Sequence, residues 1–329
     1  MRYKTAFLFA LWIVAIPTAF GQEVETVRFG VVRVTQSTVI RNRPLATGAP
    51  VLPVTPGSRL RWVEGQVKNG FVRVIATGGK QGWISSSAVQ IESQPQALLA
   101  AAPPCKPTLA ACPDTGCSQP GSKHAIFDQT KRRVPPLTVP TALTFADLKS
   151  LQEQADTLVD EGVELSAADR AKLTNLQISQ GTVHEGSLVR LIGFIAKGLD
   201  PHPNSGESVN CRRTEVASND FHISFAERPD QDEFDGIVVE MIPQNRPALW
   251  TLSRLKTLKT QHRLIMVVGA IFYDNGHVVN SDRDNPLQGQ PKRFSLWEIH
   301  PIVQFFVCQK TNNQCNPDTQ SDWKALENP

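Results

Sequence analysis

Three histidines and three carboxylates of the carboxyl-terminal third are spaced so that strand side chains could bring them together. In chain order they are Asp220, His222, Glu240, His277, Glu298 and His300. Asp220 and His222 lie two residues apart, as do Glu298 and His300, and alternate residues of a strand point to the same face. Imidazoles and carboxylates together suit a divalent metal such as zinc, manganese or iron, and they also suit general acid and base catalysis.

Two interpretations of these six residues stay open. Antiparallel strands with one solvated face alternate polar and apolar residues in the same way, so each histidine and acid could be a surface hydrogen-bonded pair. If neighbouring strands instead carry the residues to one surface, they form a ligand or metal site. That site requires at least two of the three histidines to lie within reach of one ion.

Signatures of other chemistries are absent from the sequence. It has no Gly-x-Ser-x-Gly elbow, no phosphate-binding glycine loop, no His-Glu-x-x-His pair and no dinucleotide fingerprint. Serine hydrolases, kinases and nicotinamide enzymes are therefore disfavoured.

Five predicted strands carry the candidate residues, and one helix lies between the third and the fourth. The strands are 187–196, 220–226, 236–242, 264–273 and 295–307, and the helix is within 247–261. This order matches the OB-fold, a small five-stranded barrel. Gly193 and Gly269 interrupt apolar strands and predict bulges that let the barrel close.

Five segments of this region resemble a group of secreted bacterial proteins with an OB-like domain. They are Glu207-Ser-Val-Asn-Cys211, Asn219-Asp-Phe-His-Ile223, Gly236 to Pro243, Phe272-Tyr-Asp-Asn-Gly-His277 and Trp297-Glu-Ile-His-Pro301. The resemblance spans about 185–310 and extends toward Gly116-Cys117. It implies no particular reaction, but it favours a functional cluster made of His222, Glu240, His277, Glu298 and His300.

The amino-terminal part, residues 22–93, has short predicted strands with a turn every 8 to 12 residues, which is typical of a small all-β barrel. Four segments resemble a bacterial SH3 domain: Val39 to Pro44, Val54 to Ser58, Gly70 to Val74, and Gly82-Trp-Ile-Ser85. The resemblance implies binding of a cell-wall peptide or an envelope protein. A purely structural or docking role stays open, and Trp83 is expected in the core.

Between these modules the sequence predicts a linker and a helical hairpin. Residues 94–142 are rich in proline, which packed helices and sheets tolerate poorly, and the basic run 131–133 is interpreted as a solvated patch. Two capping signals, at Thr144 with Asp147 and at Ser166 with Asp169, predict two antiparallel helices within 143–180. The OB-like module then occupies 181–310, and 311–329 form a tail.

The first 21 residues have the pattern of a secretory signal peptide: Arg2 and Lys4, an apolar run and small residues before Gln22. We therefore expect a secreted or periplasmic protein with no membrane span after cleavage. In an oxidising compartment, cysteines pair as disulfides. At least two bridges are expected, with Cys308 bonded to Cys211 or Cys315. The six candidates are Cys105, Cys112, Cys117, Cys211, Cys308 and Cys315.

The 329 residues are enough for about two domains, and their mainly β pattern with some helix defines the expected fold class. Removal of Arg2 and Lys4 leaves 32 basic and 31 acidic residues, which argues against nucleic-acid binding driven by bulk charge. The leading interpretation is a two-module binding protein of the cell envelope. A metal-dependent hydrolase, such as a nuclease, and an envelope scaffold without a small ligand are the alternatives.

Overall fold

The computed structural model describes residues 29–76, 80–93, 104–284, 286–287, 289–311 and 313–327, with only the backbone described at 64–65. The predicted signal peptide lies outside these residues. The fold is mainly β with a few helices, as the sequence predicted. None of the helices in the described part is long and apolar enough to cross a membrane.

The amino-terminal module, residues 29–93, is one antiparallel sheet of seven strands in the order β3-β2-β6-β5-β4-β1-β7. The strands are β1 (Phe29–Val34), β2 (Thr38–Arg41), β3 (Pro50–Val54), β4 (Arg59–Lys68), β5 (Phe71–Ile75), β6 (Gln81–Ser85) and β7 (Val89–Ser93). Its core contains Ile40, Trp62 and Ile84. Trp83 was wrongly expected there: Ile84 points inward, so its neighbour Trp83 faces the other side and is half-buried.

Residues 104–133, which we call the cover segment, contain a helix where the sequence predicted only a linker. Helix α1 (Lys123–Arg132) begins at Ser122, whose side chain accepts a hydrogen bond from the amide of Ala125. Ala125, Asp128 and Lys131 form its buried face. The linker prediction failed here because the prolines flank the helix at 120 and 135 and none lies inside it.

Two disulfides hold the cover segment. Cys105 bonds Cys117 within it, and Cys112 bonds Cys211, which lies 99 residues along the chain. Asp128 adds polar contacts, because it accepts hydrogen bonds from Ser118 at 2.7 Å and from Ser208 at 2.8 Å. The expectation of at least two disulfides is confirmed.

The predicted helical hairpin is only half correct. Strand β8 (Thr141–Leu143) leads into α2 (Phe145–Leu158), and α3 (Ala167–Arg170) is a single turn. Both predicted capping boxes are present. The chain after α3 forms a small hairpin of β9 (Leu176–Ile178) and β10 (Gly181–Val183), so the second helix does not develop.

The carboxyl-terminal module is a closed five-stranded barrel in the ring order β11-β13-β14-β16-β15, since β11 pairs with both β15 and β13. A short strand, β12 (His202–Asn204), pairs on β13. The other elements are β11 (Leu188–Ile195), β13 (Asp220–Ala226), β14 (Ile237–Met241), α4 (Leu252–Thr260), β15 (Ile265–Tyr273) and β16 (Trp297–Cys308). All five strands and the helix were predicted.

Gly269 acts as the sequence suggested. The pairing of β15 with β16 shifts register on both sides of Gly269. A Cβ atom there would lie 2.3 Å from the carbonyl oxygen of Pro301, so the two backbones approach too closely for any larger residue. The barrel encloses an apolar core to which α2 contributes Leu148 and Leu151.

The residues after 310 are partly structured and are not simply a tail. Strand β17 (Trp323–Ala325) pairs antiparallel with the end of β16, and Cys308 bonds Cys315. Of the two pairings proposed for Cys308, the one with Cys315 is confirmed and the one with Cys211 is wrong.

The two modules touch directly. Val63 and Ile75 of the amino-terminal module pack with Val278 and Leu287 of the carboxyl-terminal module. Beside this contact, Arg61 donates a hydrogen bond of 2.6 Å to the carbonyl of Glu161. The two modules are therefore joined by direct contacts as well as by the chain between them.

Candidate functional site

Strand pairing brings four of the six predicted residues together on the outer face of the barrel. His222 of β13 lies opposite Glu240 of β14, and Asp220 is two residues away on the same face. Strand β16 runs parallel to β14 with Val239 beside Ile299, which carries His300 next to Glu240. Phe221, Ile223 and Phe225, which alternate with them on β13, point into the core.

His222 and His300 both contact Glu240, and Asp220 joins them through His300. His222 Nδ1 lies 3.1 Å from Glu240 Oε1, and His300 Nε2 lies 2.9 Å from Glu240 Oε2. His300 Nε2 is also 3.3 Å from Asp220 Oδ2. One ligand atom each from Asp220, Glu240 and His300 lies within 4.8 Å of the others, a span that could hold a metal ion. This set contains one histidine, His300, whereas the predicted site required two within reach of one ion.

The face that carries these residues is closed. His222 is only 7% exposed, and Asp220, Glu240 and His300 are at most 2% exposed. The interpretation of this surface as a solvated polar face is therefore wrong, because α1 and the segment around Ser208 to Cys211 pack over it.

Lys131 of α1 supplies a cation to this site. Its ammonium lies 2.9 Å from Glu207, 3.3 Å from Glu240 and 4.0 Å from Asp220. The side chain of Lys131 is 7% exposed, so the prediction of a solvated basic patch is wrong at this residue. We call Lys131, Glu207, Asp220, His222, Glu240 and His300 the buried cluster.

Two amides donate further hydrogen bonds to the carboxylates. Asn204 donates to Glu240 at 2.7 Å, and Asn210 donates to Asp220 at 2.9 Å. Both asparagines lie shortly before Cys211, in the segment that leads into β13. This segment helps to close the face, and it also orients the acids on it. The carboxylates thus have partners on several sides.

Burial and charge act in opposite directions on the ionisation of the cluster. Burial favours the neutral form of Lys131, but the charges of Glu207 and Glu240 outweigh it and raise the lysine pKa well above its usual value. Burial likewise opposes an ionised Glu240, yet the Lys131 charge and the hydrogen bonds from His222 and His300 hold its pKa well below the usual value. An ammonium and a carboxylate are the stable forms.

The two histidines differ in charge. Burial lowers the pKa of His222, so its imidazole is the neutral base that faces Glu240. Burial also opposes a charged His300, but hydrogen bonds to Asp220 and Glu240 raise its pKa to about 10. Its other ring nitrogen, Nδ1, has no hydrogen-bond partner among the described residues, so this stabilisation comes from the Nε2 side. His300 is therefore an imidazolium at neutral pH.

His277 and Glu298 belong to a second group and do not join the convergence on Glu240. His277 Nδ1 lies 2.5 Å from Asp274, and Arg293 bridges Asp274, at 2.6 Å, to Glu298. Arg293 is fully buried. Of the six candidates, His277 and Glu298 are thus not brought to Glu240. His277 follows β15 in a turn, where strand alternation no longer fixes the direction of its side chain.

Six residues of these networks were not predicted as parts of a site: Lys131, Asn204, Glu207, Asn210, Asp274 and Arg293. Glu207 and Asn210 lie in a segment that supported the resemblance, which was the available signal. Nothing in the local pattern around Lys131 or Arg293 indicates burial, because each is buried by contacts with residues distant in the chain.

Comparisons with known proteins add little. No protein-family model matches the chain, and no curated protein sequence matches it. Among solved structures, NlpC1 from Trichomonas vaginalis is 12% identical and has a TM-score of 0.18. That match covers 67% of this chain and 66% of the other, so the chain spans slightly less than two thirds of that protein. A TM-score of this size carries no argument about fold or function.

Proposed function

We propose that the chain is an exported two-module binding protein of the cell envelope. Its amino-terminal module would be an SH3-like domain that docks on a wall peptide or an envelope protein, and its barrel would be an OB-like domain that holds a ligand. The buried cluster fixes the cover segment on the barrel and takes no part in catalysis.

The position of Lys131 carries this proposal. Its ammonium contacts Glu207 and Glu240 and lies near Asp220, where a metal ion bound by the same acids would have to sit. A catalytic metal must also keep a coordination position open to water or substrate. Asp220 and His300 have no exposed surface, so a substrate reaches them only if the cover segment leaves.

The connectivity of the barrel supports an OB-like assignment. Five strands close into a ring, and a helix connects the third and fourth of them. In OB-folds the second and third strands form part of the ligand-binding face. Here those strands are β13 and β14, whose outer polar residues lie under α1, so ligand binding by this barrel is expected on another face.

Half-buried aromatic residues support docking by the amino-terminal module. Phe71 lies opposite Ser85, and Trp83 lies opposite Arg73, so Phe71 and Trp83 are diagonal neighbours on one face of β5 and β6. Aromatic faces of this kind supply contact area for a peptide. Replacement of both by serine should abolish retention on peptidoglycan if this face docks on the wall.

Export is supported by the signal-peptide pattern of the sequence and by the pairing of all six cysteines in three disulfides. The disulfides are compatible with an extracellular or periplasmic protein. Partner identity is left open, and a net charge near zero argues against bulk-charge binding to nucleic acid.

A metal-dependent hydrolase is the second candidate, favoured by the approach of Asp220, Glu240 and His300 to within 4.8 Å. In that case the divalent ion would replace the Lys131 ammonium and the proton on His300 Nε2. This function requires the cover segment to open while the barrel stays folded, because otherwise no substrate reaches the ion.

Hydrogen exchange distinguishes the two candidates. The amides of α1 should open with a free energy within about 1 kcal/mol of the amides of β13, because the cover segment and the barrel behave as one cooperative unit. The measurement is native-state hydrogen exchange with peptide resolution, with the disulfides intact. If α1 instead opens many-fold more often than β13 while the amides of the barrel stay protected, the result would favour the hydrolase.

A further inference from the structure

Two histidines lie side by side where the short strand β12 meets the barrel. His202 of β12 pairs directly opposite His222 of β13, and their ring centroids are 4.9 Å apart with an angle of 32° between the ring planes. His202 is half-buried, and the side chain of His222 is 8% exposed. His202 was not among the predicted site residues, and it is not part of the buried cluster.

Each of the two rings uses its Nδ1 atom to contact an oxygen. His222 Nδ1 lies 3.1 Å from Glu240 Oε1, and His202 Nδ1 lies 3.0 Å from the carbonyl oxygen of Asp200. A carbonyl oxygen only accepts hydrogen bonds, and so does Glu240, which is ionised because its pKa is held well below the usual value. Each Nδ1 must therefore carry the proton, and in a neutral ring the free lone pair is then on Nε2.

The Nε2 atoms of the pair are available to a ligand. Neither has a hydrogen-bond partner among the residues that the structure describes. Burial lowers the pKa of His222, which keeps its ring neutral. Strand β13 lies between β12 and β14, so a His222 ring whose Nδ1 faces Glu240 on β14 turns its Nε2 toward the strand that carries His202.

The separation of the two rings fits two ligands of one metal ion. A metal–nitrogen bond of about 2.1 Å, as in zinc sites, puts the ion about 3.2 Å from each ring centroid, and two rings at about 90° to 110° around the ion then have centroids about 4.5 to 5.2 Å apart. The observed 4.9 Å lies within this range. A histidine that binds a metal also donates its other ring N–H to a carboxylate or a backbone carbonyl, as His222 and His202 do.

We propose that His202 and His222 bind a divalent transition-metal ion through their Nε2 atoms, copper(II) more tightly than zinc. Imidazole suits both ions, and copper(II) has the highest affinity among the divalent first-row metals. Among the described residues no acid or third histidine forms a three-ligand group with this pair, so water fills the remaining positions. The ion therefore exchanges with the solution and does not stay bound through purification. This site goes beyond the proposed function and does not depend on it.

Titration of the mature protein with copper(II), followed by calorimetry and by electron paramagnetic resonance, tests the proposal. One ion should bind per chain, and its spectrum should show coupling to the nitrogens of two imidazoles. Zinc should bind at the same site more weakly, and copper(II) should displace it.

Two matched histidine variants locate the site. His202→Gln should weaken copper binding at least about tenfold, because removal of a residue that only orients a metal ligand already costs about 10- to 100-fold in affinity. The coupling should fall from two nitrogens to one. His184→Gln makes the same change at an exposed histidine outside the pair, so it should leave the affinity and the spectrum unchanged. Both variants retain every residue of the buried cluster, and thermal unfolding checks that each is folded.

Three results would overturn the proposal: no saturable copper binding at one ion per chain, a spectrum of the bound ion without two imidazole nitrogens, or equal affinities of the two variants. The last result would mean that the rings only pack against each other. None of the three bears on whether α1 opens, so hydrogen exchange of the metal-free protein still tests the proposed function when this proposal fails.

Discussion

His300→Gln should change how the stability of the protein depends on pH. In the folded chain His300 Nε2 lies between Asp220 and Glu240, and its pKa is raised from its ordinary value of 6.5 to about 10. The folded state therefore holds this proton more tightly than the unfolded state. The resulting stabilisation is fully present below pH 6.5 and is lost as the pH rises toward 10.

The magnitude follows from the size of the shift. Each unit of pKa corresponds to about 1.4 kcal/mol, so a rise from 6.5 to about 10 gives on the order of 4 to 5 kcal/mol at acidic pH. Between pH 6.5 and 8.5 the stability advantage of the wild type over His300→Gln should fall by about 2 kcal/mol. Glutamine keeps a polar group but does not titrate.

The assay is urea unfolding at half-unit pH intervals from 5.5 to 9, with a chelator present to exclude adventitious ions. His184→Gln is the control, because it also removes an imidazole, from an exposed residue that bonds to neighbouring Ser187. A difference between wild type and His300→Gln that varies with pH no more than the difference between wild type and His184→Gln would refute the assignment of an imidazolium to His300.

Two further predictions concern Lys131 and the disulfides. Lys131→Met should cost about 3 to 5 kcal/mol of unfolding free energy, because it leaves buried carboxylates without their cation. Lys123→Met, on the exposed side of α1, should cost under about 1 kcal/mol, and similar losses for the two variants in urea unfolding would contradict the ion-pair account. Removal of Cys112–Cys211 by serine substitution should cost about 4.5 kcal/mol and removal of Cys308–Cys315 about 2.5 kcal/mol, since the bridged residues are 99 and 7 positions apart. If removal of Cys308–Cys315 proves more costly than removal of Cys112–Cys211 in denaturant unfolding, native contacts outweigh the entropy of the unfolded chain.

Local patterns in the sequence were sufficient to predict the barrel. Strand β13 runs from Asp220 to Ala226 in both the prediction and the structure, because polar and apolar residues alternate strictly there. The register of the strands was not predictable, but the alternation correctly separated Asp220 and His222 from Phe221 and Ile223. The approach of β16 to β14 then decided that His300 joins them.

The cover segment was mispredicted because its structure depends on distant residues. Helix α1 is short and surrounded by prolines, and its position is fixed by a disulfide to Cys211 and by hydrogen bonds to Ser208. A lysine next to two arginines normally indicates solvent exposure. Lys131 is buried only because three acids from the barrel side surround it, and none of them is near it in sequence.

Elemental analysis of the mature protein, exported by its native route and purified without chelator, tests the central claim most directly. If Lys131 is the resident cation of Glu207, Asp220 and Glu240, no transition metal should copurify in stoichiometric amount. Retention of one zinc, manganese or iron per chain, lost when Asp220 and His300 are both replaced by alanine, would contradict the account and establish the buried cluster as a metal centre.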